Sequence, residues 1–120
     1  LPPHCSSLGK AITAFHSREL IDRLLRVSGL FPRTEWTVVD RSAVLADLEN
    51  VRRRGYAEDR EESMIGGICF GAPILDEKRQ AVAAVSVSTP VIRMSKEKEQ
   101  ETIKAVVEAA RQASEAIRAA

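Results

Sequence analysis

The stretch that decides the fold is Ile68 to Thr89, "ICFGAPIL" (68–75), "DEKRQ" (76–80) and "AVAAVSVST" (81–89). Two apolar runs of strand length flank a short polar turn, the pattern of an antiparallel β-hairpin. Strand side chains alternate, so Cys69, Gly71 and Pro73 share one face of the first run. Ile68, Phe70, Ala72 and Ile74 share the other. In the second run Ser86 and Ser88 lie with Val82 and Ala84, opposite Ala83, Val85 and Val87. Two hydroxyls at i and i+2 either point into one small cavity or face solvent, and the spacing leaves both readings open.

Working outward, the period changes from two to that of a helix. Downstream, Ser95 reads as the N-cap of one long helix to Ala119, with Ile103, Val106, Val107, Ala110, Ser114 and Ile117 as a narrow stripe. Upstream, Ser6 or Ser7 caps a first helix through Leu8, Ile12 and Phe15. Ser17 caps a second, "RELIDRLLRV", stopped by Gly29. "FPRTEWTVVD" reads as irregular or briefly extended. Ser42 then starts a third helix with Val44, Leu45, Leu48 and Val51 inward, its last turn carrying Arg52 to Arg54 before Gly55. Helices, hairpin, helix is the order of an α+β domain with helices packed on an antiparallel sheet. Two strands, with a further short one at Tyr56-Ala57, make a thin sheet that is marginal alone. Either a partner supplies strands or strands precede Leu1. The opening "LPPHC", without an initiator Met, reads as a piece of something longer.

The 120 residues suit one domain, 44% apolar content suits a packed core, and a net charge of +1 names no partner. Basic residues are scattered apart from Arg52 to Arg54 and aromatics are 4%, which argues against direct nucleic-acid binding by this chain. Two cysteines in no C-x-x-C pattern suit a reducing cytosol. No run approaches the roughly 20 apolar residues of a membrane helix, and no signal peptide is visible.

Chemistry concentrates in "YAEDREESMIGGICFGAPI" (56–74). Glu58, Glu61 and Glu62 read as a solvated acidic loop. Asp59 joins the hairpin only if the chain folds back, which Gly66-Gly67 would allow. Cys69 is either a small buried hydrophobe or a thiol needing a base, and the only histidines are His4 and His16. His4, Cys5, Asp59 and Cys69 match no metal-ligand spacing. "HCSSLGKA" places backbone N–H groups at a helix start, where anions bind. Lys10 in "LGK" lacks the spaced glycines of a phosphate loop, so nucleotide binding is not expected.

Four motifs, "LPPHCSSLGKA", "RRRGYAEDREE", "GGICFGAPILDE" and "AAVSVSTPVIRMS", taken in this order and spacing, resemble the C-terminal effector-binding domain of the IclR family of bacterial transcription regulators. The resemblance implies a GAF-like domain that binds a small metabolite, often a carboxylate, and needs no cofactor. It also implies an N-terminal winged helix-turn-helix, absent from this chain, that carries operator binding in a dimer or tetramer. The first strands of the domain would be absent as well. By position, the family's ligand contacts fall on Asp59, Cys69, Ser86 and Ser88, joined by the backbone amides around Ser7 and Leu8. Arg60 stands where the family often has a second acid. Two other readings stay open: a GAF-like redox enzyme using Cys69 with Cys5 as resolving thiol, and a purely structural oligomerisation module built on the long helix and the sheet edge.

Overall fold

The computed structural model describes residues 1–120. Three helices, α1 (Ser7–Thr13), α2 (Arg18–Ser28) and α3 (Arg41–Arg54), precede three strands, β1 (Ala57–Arg60), β2 (Gly67–Leu75) and β3 (Ala81–Pro90). A 3-10 turn, Val91–Arg93, leads to α4 (Lys96–Ala119). The sheet is antiparallel throughout in the order β1-β2-β3. It is thus one strand fuller than the hairpin alone, because the expected fragment at Tyr56-Ala57 continues to Arg60.

Each helix begins where a side-chain oxygen satisfies an orphan amide. Ser6, Ser17 and Ser95 accept from Gly9, Leu20 and Lys98. The third cap is Asp40 rather than Ser42: its carboxylate accepts from the Ala43 amide at 3.0 Å, so α3 starts at Arg41. Aspartate at the cap leaves Ser42 inside the first turn. α1 stops at Thr13, short of Phe15. α3 ends on Gly55 at φ 90°, a left-handed position at which a side chain would be strained.

The sheet lies between two helical layers. On one face α1, α2 and α3 bury Ala11, Phe15, Leu25, Val44, Leu48 and Val51 together with Ala57 and Ala81 of the strands. On the other, α4 buries the apolar side chains of Val106 and Ala110 against Ala72, with Tyr56, Ile74 and Val85 around them. Of the apolar stripe read along α4, Val107 and Ile117 stay exposed. Buried Ser114 fixes the helix to the sheet by accepting from the Leu75 amide at 2.9 Å and donating to the Ala110 carbonyl at 2.8 Å.

The acidic run is not a loop over its first half. Glu58 and Asp59 are β1 residues paired with Phe70 and Cys69. Glu62 is not solvated either; it meets Lys10, which is 1% exposed.

Candidate functional site: a polar row across the sheet

Directly opposed residues of an antiparallel pair project to the same side. Asp59 pairs with Cys69 and Cys69 with Ser88, so three of the residues singled out from sequence form one row across all three strands. The next row on that face is Ala57, Gly71 and Ser86. Asp59 reaches Cys69 by strand pairing. Gly66, at φ 86°, only closes the connection that follows.

Gly71 sets how closely α1 approaches this face. A Cβ there would lie 2.9 Å from the Ser7 carbonyl oxygen and 3.0 Å from its carbon, closer than side chains tolerate against backbone. The first turn of α1 therefore rests on the bare backbone of β2. Ser7 is buried and Leu8 half-buried. Ser6 takes the Gly9 amide, and no protein acceptor reaches the amides of Ser7 and Leu8. In a helix of seven residues these two N–H groups are orphan donors of the first turn.

The side chains of the row are unequally committed. Asp59, 2% exposed, accepts from the amides of Glu62 (2.8 Å) and Ser63 (3.2 Å) and from the Ser63 hydroxyl. Its carboxylate thereby holds the turn after β1, a role the sequence reading did not give it. Cys69 Sγ lies 3.1 Å from Ser88 Oγ. Burial pushes the Cys69 thiol up, the Ser88 hydrogen bond offsets part of this, and Asp59 pushes it further up. Burial likewise raises Cys5. Both shifts oppose the low-pKa thiolate that a redox role requires. Neither histidine hydrogen-bonds Cys69: His4 Nε2 meets the Phe31 carbonyl at 2.8 Å and leaves Nδ1 buried without a partner, and His16 Nε2 meets the Ala81 carbonyl. The row is open toward β3, where Ser88 is exposed and Ser86 half-buried. The cleft of about 550 Å³ between α2 and α3, lined by His16, Ser42 and Leu45 among others, lies elsewhere.

Lys10 is the residue that sequence reasoning missed. Its ammonium donates to Glu62 Oε1 at 2.7 Å, to the Glu58 carbonyl at 2.8 Å, and pairs with Asp47 Oδ2 at 2.8 Å. It ties α1 to α3 and to the turn that Asp59 organises. Burial alone would depress Lys10, but Asp47 and Glu62 together hold it above its ordinary value. Burial raises Glu62 by more than Lys10 and the Arg60 amide lower it, and the nearby Asp47 charge adds to the rise. The available signal was a lone Lys one turn after a cap, in a chain with an acidic run elsewhere. Pairing across 48 and 52 residues cannot be read from spacing.

Residues 1–115 match the model of the bacterial transcriptional regulator IclR C-terminal domain. The chain belongs to the IclR family. It is 44% identical over 112 residues to the HTH-type transcriptional regulator BhcR of Paracoccus denitrificans, covering 92% of this chain and 40% of BhcR. Identity to the transcriptional repressor IclR of Escherichia coli is 38% over 112 residues, 93% of this chain and 41% of the repressor. The chain thus spans about two-fifths of the length of these relatives. The Thermotoga maritima IclR structure superposes with a TM-score of 0.89 at 33% identity, covering 96% of this chain and 47% of that one. The inducer-binding domain of PobR from Acinetobacter, a double mutant in complex with 3-hydroxybenzoic acid, shares the fold at 24% identity and a TM-score of 0.84, over 95% of this chain and 66% of that one.

Membership in the IclR family places the chain among regulators, not enzymes, and the thiol shifts agree. The family resemblance read from the four motifs holds over nearly the whole chain. Arg60 does not disturb the polar row. It projects to the opposite face, where it pairs with Glu58 at 2.7 Å and with Glu99 of α4 and stacks 5.7 Å from the Phe70 ring. No helix is long and apolar enough to cross a membrane.

Proposed function

We propose that this IclR-family domain senses a small carboxylate metabolite on the row formed by Asp59, Cys69 and Ser88, with Ser86 and the amides of Ser7 and Leu8 as donors. One observation carries the reading: strand pairing brings Asp59, Cys69 and Ser88 into a single row, next to the Ala57–Gly71–Ser86 row on which the first turn of α1 rests. Hydroxyls and amides give charge-assisted hydrogen bonds to a carboxylate, and the thiol supplies a soft wall. Asp59 then acts mainly by holding the 62–63 turn that borders the row. The PobR complex with 3-hydroxybenzoic acid supports a carboxylate as the ligand class.

The rest of the regulator follows from the same reading. Operator DNA is bound by a winged helix-turn-helix outside this chain, and the protein works in the cytosol as a dimer or tetramer. β3 is an edge strand with Val82 and Val87 exposed, which fits further strands of a GAF-like sheet continuing there. Effector binding changes the relation between subunits only as far as the effector prefers one arrangement.

The test is calorimetric titration of the chain with a panel of small aliphatic and aromatic hydroxy- and oxo-acids. At least one binds saturably, and Ser86→Ala weakens it about tenfold, the loss of one charge-assisted hydrogen bond, with an unchanged unfolding midpoint. Ser86 is the cleaner probe, since Asp59→Ala also loosens a turn. Absence of any binding acid, or an unaffected Ser86→Ala variant, overturns the assignment.

A further inference from the structure

A second polar feature lies at the C-terminal end of β2, between α3 and α4. A cleft of about 300 Å³ is lined by 14 residues, six of them arginines and none acidic: Arg52, Arg53, Arg54, Arg79, Arg111 and Arg118. They arrive from three separate elements, the last turn of α3, the β2–β3 turn and the C-terminal half of α4. Ala72, Pro73 and Leu75 of β2 contribute an apolar wall.

Most of this charge is uncompensated. Only Arg111 has carboxylate partners, Glu108 and Glu115 on its own helix. Arg52 donates to the carbonyl of His16 at 3.2 Å and Arg54 to that of Tyr56 at 2.8 Å, contacts that orient the guanidiniums and leave their charge intact. Arg53 donates to Asn50. Arg79 and Arg118 make no ion pair.

Arg79 adds an independent observation. The turn Asp76–Gln80 is built by the Asp76 carboxylate, which accepts from Lys78 and Gln80, and by the Arg79 amide donating to the Asp76 carbonyl. This places Arg79 at φ 61°, the left-handed position of a hairpin loop that glycine or asparagine fills without strain. A strained residue held where a better one exists points toward use of its side chain. Here that side chain lines the arginine cleft.

We propose that this cleft is an anion site, separate from the effector row, for a compact phosphate compound of the pyrophosphate type. Guanidiniums recognise phosphate oxygens bidentately, and convergence from three elements suits a small multiply charged ligand better than an extended strand. The apolar wall lowers the local dielectric and strengthens the field inside the cleft.

The experiment is titration of the 120-residue chain with inorganic pyrophosphate at low ionic strength, followed by calorimetry. Saturable one-to-one binding is expected, weakening as salt rises. Arg79→Gly combined with Arg118→Ala lowers the affinity about tenfold or more, whereas Arg26→Ala, exposed on α2, leaves it unchanged. Arg79→Gly alone raises the unfolding midpoint while weakening pyrophosphate, a combination that a purely structural arginine cannot give. Ser86→Ala leaves pyrophosphate binding intact, so failure here and failure of the effector reading are separable. Unsaturable binding, or an unaffected double variant, overturns the proposal. So does a short DNA duplex that binds the arginines and is not displaced by pyrophosphate, which would make the patch a backbone track.

Discussion

The two faces of β2 are made from alternate residues of one strand and have opposite characters. Facing α1 are Cys69, Gly71 and Pro73, joined by Asp59, Ser86 and Ser88 from the neighbouring strands. Facing α4 are Ile68, Phe70 and Ala72, of which Phe70 is 1% exposed. The α4 face closes by shape and by a few fixed hydrogen bonds. The α1 face closes by the absence of a side chain at Gly71 and leaves hydroxyls, a thiol and helix amides in one place. A strand can therefore pack on one side and keep polar groups on the other, provided the polar side is held by groups other than its own side chains.

Those groups are centred on Lys10, and removing it is the most severe way to break the α1 face. Lys10→Met keeps the volume but strands Glu62 and Asp47 beside a buried apolar chain. Loss of one partner of a fully buried pair costs about 3–5 kcal/mol. Asp47 is 29% exposed, so about 3 kcal/mol is expected in urea unfolding. The alkaline limb supplies a second readout. Lys10 is raised above its ordinary value in the folded chain, so its stabilisation is complete below the unfolded pKa and is lost as pH rises through the folded one. The stability difference between wild type and Lys10→Met should therefore shrink only above about pH 10.5, the ordinary lysine value.

Gly71→Ala attacks the same face from the sheet. The added Cβ meets the Ser7 carbonyl at 2.9 Å, and backbone cannot rotate away as a side chain can. α1 must lift, with an expected loss of about 2 kcal/mol, within the range for overpacking. Carboxylate binding should fall further than this loss explains, because the Ser7 and Leu8 amides move with the helix. A Gly71→Ala variant that binds as well as wild type would detach the effector reading from α1.

Ser114→Ala tests the other face. It leaves the Leu75 amide without its acceptor in a part-buried contact, for about 1 kcal/mol. Carboxylate affinity should stay unchanged, since nothing on the α1 face touches Ser114. Loss of affinity would show that the two faces are coupled through β2.

How far these contrasts were legible in the sequence depended on range. Alternation in "ICFGAPIL" and "AVAAVSVST" gave the hairpin and its faces, and caps of serine gave three of four helix starts, because both signals are local. Asp59, Cys69, Ser86 and Ser88 came from the family resemblance by position, and only the strand register sets Asp59, Cys69 and Ser88 side by side with Ser86 in the next row. Reading Glu58 and Glu62 as a solvated loop failed for a physical reason. Acidic residues are poor strand formers, and here tertiary partners override that tendency: Phe70 and Cys69 across the ladder, Lys10 beneath the turn. The arginine cleft escaped notice because Arg52 to Arg54 look like a helix end suited to its dipole, while Arg79, Arg111 and Arg118 lie 25 or more positions away and meet them only in the fold.

The smallest effect belongs to Arg60, and it separates ornament from structure on the α4 face. Its guanidinium bridges Glu58 of β1 and Glu99 of α4, whose hydrogen bonds hold it well above its already high ordinary value. That shift suggests a strong clamp, yet the Arg60 side chain is 46% exposed, where solvent screens the pair and ordering two long side chains offsets the Coulomb gain. Arg60→Ala is therefore expected to cost at most about 1 kcal/mol, part of it from lost stacking on Phe70, and to shrink further in high salt. A larger, salt-insensitive loss in urea unfolding would mean that α4 is held to the sheet by charge rather than by Val106, Ala110 and Ser114. The polar face and the apolar face would then be less different than their burial implies.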